Sequence, residues 1–137
     1  MADQIQFELV APERLLLSQP VEMIVLPGAE GDFGVLPGHA PFVSTIRPGV
    51  IAVFDGGQVT ERLFIAGGFA EVTPERCTVL AEEAMPVGQL DRGAIDTQMR
   101  EARNDLADAK DDGDRAAAET RITVAEAKLA AMEGTVY

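Results

Sequence analysis

The chain has 137 residues, a hydrophobic fraction of 47% and a formal net charge of −12 at pH 7. This length fits one domain or one domain with an appendage, and the hydrophobic fraction is large enough for a packed core. Because the chain is acidic and has no cluster of Lys or Arg, the composition excludes nucleic acid and anionic membrane surfaces as expected direct partners.

Signals for secretion and membrane insertion are missing from the sequence. No run of about 18 apolar residues occurs, and residues 1–4 contain neither a basic segment nor an apolar signal region. We therefore expect a protein on the cytosolic side of a membrane, with no transmembrane segment of its own. The single cysteine, Cys77, excludes an internal disulfide, and its alternation with Val79 predicts a buried, unreactive thiol.

Short alternating segments, punctuated by Gly and Pro, fill residues 1–85 and predict β-strands. Because they follow one another closely, we expect each strand to pair with its neighbours in the chain, in an antiparallel β-sandwich. The Asp55-Gly56-Gly57 segment predicts a tight hairpin, since primed turns need positive φ angles. The predicted strands are residues 5–10, 21–26, 33–36, 42–46, 49–54, 59–65, 69–72 and 77–81.

Residues 27–41 are the most unusual stretch of the chain. Seven of these fifteen residues are Gly or Pro. Glycines between strands indicate tight turns and close backbone approach, because glycine loses the most conformational entropy on folding. From Phe33 to Phe54 the only formal charge is that of Arg47. A turn-rich rim that is poor in charge is typical of a contact surface.

His39, the only histidine, lies in this stretch and has two interpretations. It could make a hydrogen bond at an interface, or it could be a turn residue that bonds to nearby carbonyl groups. Zinc and cupin-type sites use two or three imidazoles, so we expect no metal. The glycines at 28, 31 and 34 do not predict a phosphate loop, because neither the Gly-Lys-Ser/Thr ending nor a helix follows.

The sequence changes character at Pro86, the last proline of the chain. Two apolar series with helical spacing follow it, joined by the turn Asp111-Asp112-Gly113-Asp114. Asp91 and Asp114 are the candidate N-caps of the two helices. Helices joined by so short a turn pack antiparallel. The first series is Leu90, Ala94, Met99, Ala102, Leu106 and Ala109, and the second is Ala118, Ile122, Ala125, Leu129 and Met132.

The sequence thus predicts a mainly β plus α protein with two domains, a sandwich over residues 1–85 and a helical hairpin over residues 86–137. Alanine-rich stripes bury little apolar area, so the hairpin needs a further surface to lie on. Permanent docking and a switch between two surfaces are both consistent with this pattern. No nucleophile, base and carboxylate stand in a catalytic arrangement, so we predict a non-catalytic protein.

Three motifs and the hairpin carry a family resemblance. The motifs are Gly31-Asp32-Phe33-Gly34-Val35-Leu36-Pro37-Gly38-His39-Ala40-Pro41, Arg47-Pro48-Gly49 and Ala66-Gly67-Gly68-Phe69. Together they resemble the epsilon subunit of F-type ATP synthase, whose mitochondrial equivalent is called delta. The resemblance covers essentially the whole chain, and residues 31–49 are its most specific part. It implies a flattened antiparallel β-sandwich followed by an antiparallel two-helix hairpin.

The resemblance also implies partners. The subunit would belong to the central stalk, or rotor, on the cytoplasmic face of the bacterial inner membrane. It would bind gamma along one side of the sandwich and the c-ring loops at its foot, coupling c-ring rotation to ATP synthesis without a cofactor. Glu30 and Asp32 would pair with basic c-ring residues. The implied c-ring interface is Glu30, Gly31, Asp32, Phe33, Gly38 and His39.

Some members of this family bind ATP through an Ile/Leu-Asp-x-x-Arg-Ala pattern at the start of the first helix. Here Asp91 fills the aspartate position, but Ala94 replaces the arginine and Ile95 replaces the alanine. We expect weak or absent ATP binding, because a bidentate guanidinium is missing. The alternative function is a nucleotide-sensing regulator in which ATP occupancy sets the hairpin position. The third possible function is an enzyme that acts on a small molecule in the β-sandwich, which would need a polar pocket.

In bacterial members the hairpin also extends into the catalytic head, where its basic residues meet acidic loops of the alpha and beta subunits. Residues 86–137 contain seven basic and eleven acidic residues here. This balance predicts weak inhibition of ATP hydrolysis. The bases that would make such regulatory contacts are Arg100, Arg103, Arg115, Arg121 and Lys128.

Overall fold

The computed structural model describes residues 3–134, which divide into two compact units. The first unit extends to Val87 and contains the strands, and the second begins at Gly88 and contains both α-helices. Each unit has a hydrophobic cluster of its own. Within the described residues, no helix is long and apolar enough to span a bilayer.

In this described part of the chain, ten strands form one hydrogen-bonded sheet, whose inner face encloses a single core. The order across the sheet is β10-β7-β6-β3-β5-β8-β9-β1-β2, with β4 paired to β3. The predicted sandwich followed by two helices is confirmed. The strands are β1 (Ile5–Ala11), β2 (Arg14–Val21), β3 (Met23–Gly28), β4 (Gly31–Val35), β5 (Phe42–Ile46), β6 (Gly49–Asp55), β7 (Gln58–Ile65), β8 (Gly68–Val72), β9 (Arg76–Ala81) and β10 (Ala84–Pro86).

Two strands, β2 and β10, were not predicted. In β2 the consecutive leucines 15–17 hide the alternation that marks a strand, and β10 has only three residues and ends in Pro86. The predicted strand 21–26 starts too early, because Val21 still pairs with Ile5 and therefore ends β2. The backbone amide of Glu22 then bonds to Phe54, and β3 begins one residue later.

The expectation that each strand pairs with its neighbours in the chain is wrong. β1 lies between β2 and β9 and pairs in parallel with β9, which places Phe7 beside Cys77 and Leu9 beside Val79. All four side chains are buried on the core face. Alternation decides which face of a strand is buried but not which strand lies beside it, so closure of the core decides this pairing.

The hairpin between β6 and β7 is confirmed at its predicted position. Asp55 pairs with Gln58, and the two residues between them have φ angles of 61° at Gly56 and 74° at Gly57. Positive φ at both central residues is the requirement of a type I′ turn, whose twist matches that of the flanking strands.

The second unit consists of α1 (Arg92–Asp108) and α2 (Asp112–Glu133). Nη2 of Arg121 donates to Oδ2 of Asp105 over 2.7 Å, and Nζ of Lys128 donates to Oε1 of Gln98 over 3.3 Å. Residue numbers therefore rise along one helix as they fall along the other. This register confirms the predicted antiparallel hairpin.

Asp91 caps α1 as predicted, since its Oδ2 accepts from the backbone N of Ala94 over 3.0 Å. The prediction that Asp114 caps α2 is wrong. Oδ1 of Asp111 accepts from the backbone N of Asp114 over 2.7 Å, so Asp111 is the cap and Asp114 lies in the first turn. Each cap satisfies an amide that would otherwise have no partner at the helix start.

The buried stripe of α1 differs from its prediction at one position. Ala94 is exposed, whereas Ile95, Met99 and Ala102 are buried. Steps of four and three residues keep a side chain on one helix face, while Ala94 is five residues from Met99 and falls off that face. Across the seam α2 contributes Ala125, with Ile122 and other partly buried residues around it.

Candidate functional site

The six predicted c-ring residues lie in two loops of the first unit, which we call the tip. The first loop is the β3–β4 hairpin, which turns at Ala29 and Glu30 between the paired residues Gly28 and Gly31. The second loop, residues 36–41, joins β4 to β5. The tip is thus residues 28–33 and 36–41, both anchored in the sandwich.

Aromatic side chains bring the two tip loops together. The ring centroids of Phe33 and Phe42 are 5.4 Å apart with an interplanar angle of 84°, an edge-to-face arrangement. The His39 ring also lies near Phe42, with a centroid distance of 6.3 Å and an interplanar angle of 52°. Phe42, which is 45% exposed, therefore joins two of the predicted site residues. It was not among the predicted site residues, because it opens the predicted strand 42–46, one residue beyond the Gly- and Pro-rich stretch.

Local hydrogen bonds hold the second loop in place. Nδ1 of His39 lies 2.7 Å from the carbonyl O of Ala40, the kind of contact that the turn interpretation of His39 predicts. The backbone N of His39 donates to Leu36 over 3.1 Å, and that of Gly38 donates to the carbonyl of Pro74 over 2.8 Å. Gly38 has a φ of 83°, a left-handed conformation that favours glycine.

Arg47 holds the first loop. Its Nη1 donates to the carbonyl O of Gly28 and its Nη2 to Oδ1 of Asp32, each over 2.5 Å. Its backbone N donates to the carbonyl of Pro27 over 2.9 Å. Asp32 was predicted to pair with a partner, but this carboxylate already pairs with Arg47 within the chain. Glu30 is exposed and makes no hydrogen bond or ion pair within residues 3–134.

A row of apolar side chains crosses the outer face of four neighbouring strands. Phe69 on β8 lies beside Leu80 on β9, Leu80 lies beside Val10 on β1, and Val10 lies beside Leu15 on β2. Phe69 is 43% exposed, Leu80 53% and Leu15 57%. We call these four residues the apolar row. The sequence signal for them is an apolar residue at an outward position of an alternating strand, and exposed apolar clusters mark contact surfaces.

Two of the five predicted regulatory bases already have partners on the hairpin. Nη1 of Arg115 is 3.0 Å from Oδ1 of Asp112, and Nη2 of Arg121 is 2.7 Å from Oδ2 of Asp105. The side chains of these pairs are exposed by about half or more, and each pair stabilises the fold little, because water and salt screen it. They nevertheless offset the positive charge that a catalytic-head loop would meet at either position.

The remaining three bases differ in exposure. Lys128 is only 5% exposed, so in the folded hairpin it does not face solvent as the sequence analysis expected. Its aliphatic stem packs into the seam between the helices while Nζ reaches Gln98. Arg100 and Arg103 are exposed and form no ion pair within residues 3–134. Of the five predicted regulatory bases, these two stand open to a partner.

The carboxylate of Asp91, the predicted nucleotide contact, serves as the N-cap of α1. Ala94 occupies the position of the arginine, and its side chain has no hydrogen-bond donor that could bind a phosphate. Elsewhere, Cys77 is buried as predicted, and desolvation raises the pKa of its thiol to about 12. No group of three or more potential metal ligands occurs in the described part of the chain.

Family comparisons match both units. The β-sandwich domain of the ATP synthase delta/epsilon chain matches residues 4–87, and the C-terminal domain of the ATP synthase epsilon chain matches residues 91–137. The chain belongs to the ATP synthase epsilon family. An ATP synthase epsilon chain of Rhodospirillum rubrum is 52% identical over 134 residues, which cover 98% of this chain and 100% of that relative.

Solved structures of ATP synthases contain chains with a similar fold. A chain of the mitochondrial ATP synthase of Euglena gracilis, solved with OSCP, F1 and c-ring, is 29% identical with a TM-score of 0.80, covering 94% of this chain and 81% of its own length. A chain of the Tetrahymena thermophila mitochondrial enzyme, solved as central stalk and c-ring, shares the fold at 14% identity with a TM-score of 0.67, covering 96% and 99%. The predicted non-catalytic epsilon subunit of ATP synthase is confirmed.

Proposed function

We propose that this epsilon subunit works in the central stalk of a proton-translocating F-type ATP synthase, on the cytoplasmic face of a bacterial inner membrane. It couples rotation of the c-ring, through gamma, to the catalytic sites. The observation that carries the proposal is the pair of family matches, which cover residues 4–87 and 91–137. A subunit between two rotating parts transmits torque only if it is stiff, and the sandwich with its single closed core supplies that stiffness.

We assign the c-ring contact to the tip. Its support is geometric, since hydrogen bonds to Arg47 and Pro74 anchor both loops and the Phe33, Phe42 and His39 rings join them. An anchored loop loses little conformational entropy on binding. The residues of this proposed contact are Glu30, Gly31, Asp32, Phe33, Gly38 and His39.

We assign the gamma contact to the apolar row. Long-lived subunit interfaces have an apolar centre surrounded by polar residues. The row provides such a centre, and Glu71, Thr78 and Glu8 lie side by side on the neighbouring register positions of the same face. Burial of Leu80 and Leu15 against gamma would remove apolar area from water and stabilise the rotor.

The two units have different roles in this proposal. Residues 1–85 connect the c-ring with gamma, while residues 86–137 regulate ATP hydrolysis by contact with the alpha and beta subunits. Arg100 and Arg103 are the proposed contact bases, because the other three predicted bases, Arg115, Arg121 and Lys128, are paired or buried in the folded hairpin. Inhibition by this hairpin is weak because acidic residues outnumber basic ones in it.

The proposed tip contact is tested with Gly38→Pro in ATP synthase reconstituted into vesicles. Proline fixes φ near −65° and removes the amide that bonds to Pro74, so the second loop must move. We expect ATP hydrolysis to persist while the number of protons pumped per ATP falls by about half. His39→Ala, which keeps the backbone, should produce a smaller loss of the same kind. Unchanged pumping per ATP in both variants would contradict the assignment. Denaturation of each isolated variant chain shows whether the substitution has impaired folding.

A further inference from the structure

We propose that Arg47 is a positioning residue, which holds the β3–β4 turn in its contact geometry and neutralises Asp32 so that Glu30 is the carboxylate offered to the c-ring. This inference rests on the proposed function of the tip. It concerns the electrostatics and order of that contact, which family membership alone does not specify.

The β3–β4 turn has few backbone bonds to the strand beside it. β3 and β5 share a single register pair, Gly28 with Ile46, and beyond it the backbone N of Ala29 donates to Thr45 over 3.0 Å. The Gly28–Gly31 pair closes the turn within its own hairpin, and the Arg47 side chain adds two further bonds that tie the turn to the segment after β5. Its two nitrogens bond to acceptors on opposite strands of the hairpin, at Gly28 and Asp32.

The position of Gly28 also governs the aromatic cluster. A Cβ added at Gly28 would come within 2.8 Å of Cε1 of Phe33, so the Phe33 ring lies directly on the Gly28 backbone. Phe33 packs edge-to-face on Phe42, and Phe42 contacts the His39 ring. A hydrogen bond to the Gly28 carbonyl thus supports the surface on which the rings of both tip loops rest.

The charges at the tip point to the same conclusion. Arg47 is the only formal charge from residue 33 to residue 54, and its guanidinium lies against Asp32. A carboxylate that already accepts from a guanidinium attracts an external base weakly, because the pair is neutral as a whole. Glu30, at the end of the turn, has no such partner within residues 3–134. It therefore presents the uncompensated negative charge of the first loop.

Arginine suits this position better than lysine would. The two nitrogens lie on one rigid plane and reach two separate acceptors at once, whereas a lysine ammonium is a single point on a flexible stem. Arg47→Lys keeps the charge and loses this fork. Arg47→Met keeps most of the side-chain volume and loses both the charge and the hydrogen bonds.

The first test measures amide hydrogen exchange by NMR on the isolated full-length chain. In Arg47→Met we expect exchange of the Ala29 amide to accelerate about tenfold, while the Val53 amide in the core changes less than about twofold. Arg47→Lys should accelerate exchange at Ala29 by an intermediate factor. Arg62→Met, which removes an exposed arginine on β7, is the matched control and should leave both amides unchanged.

The second test measures protons pumped per ATP in reconstituted vesicles. We expect Arg47→Met to lower pumping per ATP by about half and Arg62→Met to leave it unchanged. If Arg47→Met alters neither Ala29 exchange nor pumping, or alters exchange alone, the inference is wrong. Glu30→Gln separates this failure from failure of the tip assignment. Loss of coupling in Glu30→Gln but not in Arg47→Met overturns only the role of Arg47, whereas no loss in either overturns both.

Discussion

Gly68 on β8 lies so close to Leu80 on β9 that a Cβ atom added at Gly68 would come within 2.0 Å of the Leu80 carbonyl oxygen. This is far below any van der Waals distance, and the atom it would meet is backbone, which cannot rotate away. The contact explains why the Ala66-Gly67-Gly68-Phe69 motif needs glycine at this point. It also positions Phe69 and Leu80 next to each other in the apolar row.

Gly68→Ala should therefore destabilise the sandwich. We expect a loss of about 1–3 kcal/mol in the free energy of unfolding, the usual range for forcing an extra methyl group into a packed region. Urea denaturation of the isolated chain measures this loss. Gly34→Ala is the matched control, because its added Cβ would meet only Met23 Sδ at 3.8 Å. Equal stabilities of the two variants would contradict the proposed close approach.

Asp111→Ala should weaken the start of α2. The Asp111 carboxylate accepts from the Asp114 amide, and removal of an N-cap carboxylate costs about 0.5–2 kcal/mol. Faster amide exchange in the first turn of α2 would report the loss. Asp114→Ala is the control, since it removes only an exposed first-turn charge and should have the smaller effect. If Asp114→Ala had the larger effect on amide exchange, Asp114 and not Asp111 would be the N-cap.

The Cys77 thiol should be unreactive in the folded chain at ordinary pH. Burial raises its pKa to about 12, so the thiolate, which is the reacting form, is scarce at pH 8. A thiol reagent should label Cys77 only after denaturation, while the added cysteine of Ser18→Cys, on the exposed side of β2, should react at once. Fast labelling of native wild-type chain would contradict this assignment.

The same shift predicts how stability depends on pH. The ordinary pKa of a cysteine thiol is 9.0, so between pH 9 and pH 12 the unfolded chain loses the Cys77 proton while the folded chain keeps it. The folded state binds more protons in this window, and stability falls as pH rises. The contribution is fully present below pH 9. Cys77→Ser should remove most of this slope in denaturation measured across that range.

Leu80→Asp should weaken binding of the chain to gamma by about tenfold or more, because a charge would be buried at the centre of an apolar contact. The fold should survive, since Leu80 is 53% exposed. Calorimetry or co-purification with gamma measures the affinity. Gln58→Asp, on β7 and outside the apolar row, is the control and should bind normally. If Leu80→Asp bound gamma normally, the gamma contact would have to lie on another face of the sandwich.

Removal of the two proposed contact bases of α1 should relieve hairpin inhibition. We expect Arg100→Ala with Arg103→Ala to raise the ATP hydrolysis rate of the assembled enzyme by about twofold, since each contact at an exposed interface is weak. The matched control removes Arg115 and Arg121, which already pair with Asp112 and Asp105. A larger effect of the control pair would show that these ion pairs open in the inhibited state.

Much of the fold follows from local pattern. The alternation around Phe7 and around Cys77 correctly predicted strands with one buried face, because a period of two is a property of the strand itself. The glycines at 56 and 57 predicted a turn, and Asp91 predicted a helix start, since each depends on contacts within a few residues. The cap of α2 was misplaced because four candidate residues in a row satisfy the same local rule.

Long-range features could not be predicted in this way. The parallel pairing of β1 with β9, the ion pair of Arg47 with Asp32 and the ring contact of Phe33 with Phe42 join residues whose spacing in the chain carries no fixed period. The motif at residues 31–41 indicated the tip. It did not reveal that Asp32, one of the two carboxylates of the tip, is already paired with Arg47.

The sequence by itself determined where both helices and most of the strands lie, which faces are apolar and which family the chain resembles, because propensity, periodicity and motif act over short distances. Only the tertiary structure decided which strands are neighbours, and so placed Val10 and Leu15 in one exposed row with Leu80. Strand order is set by how the whole core closes, and that depends on many distant side chains at once.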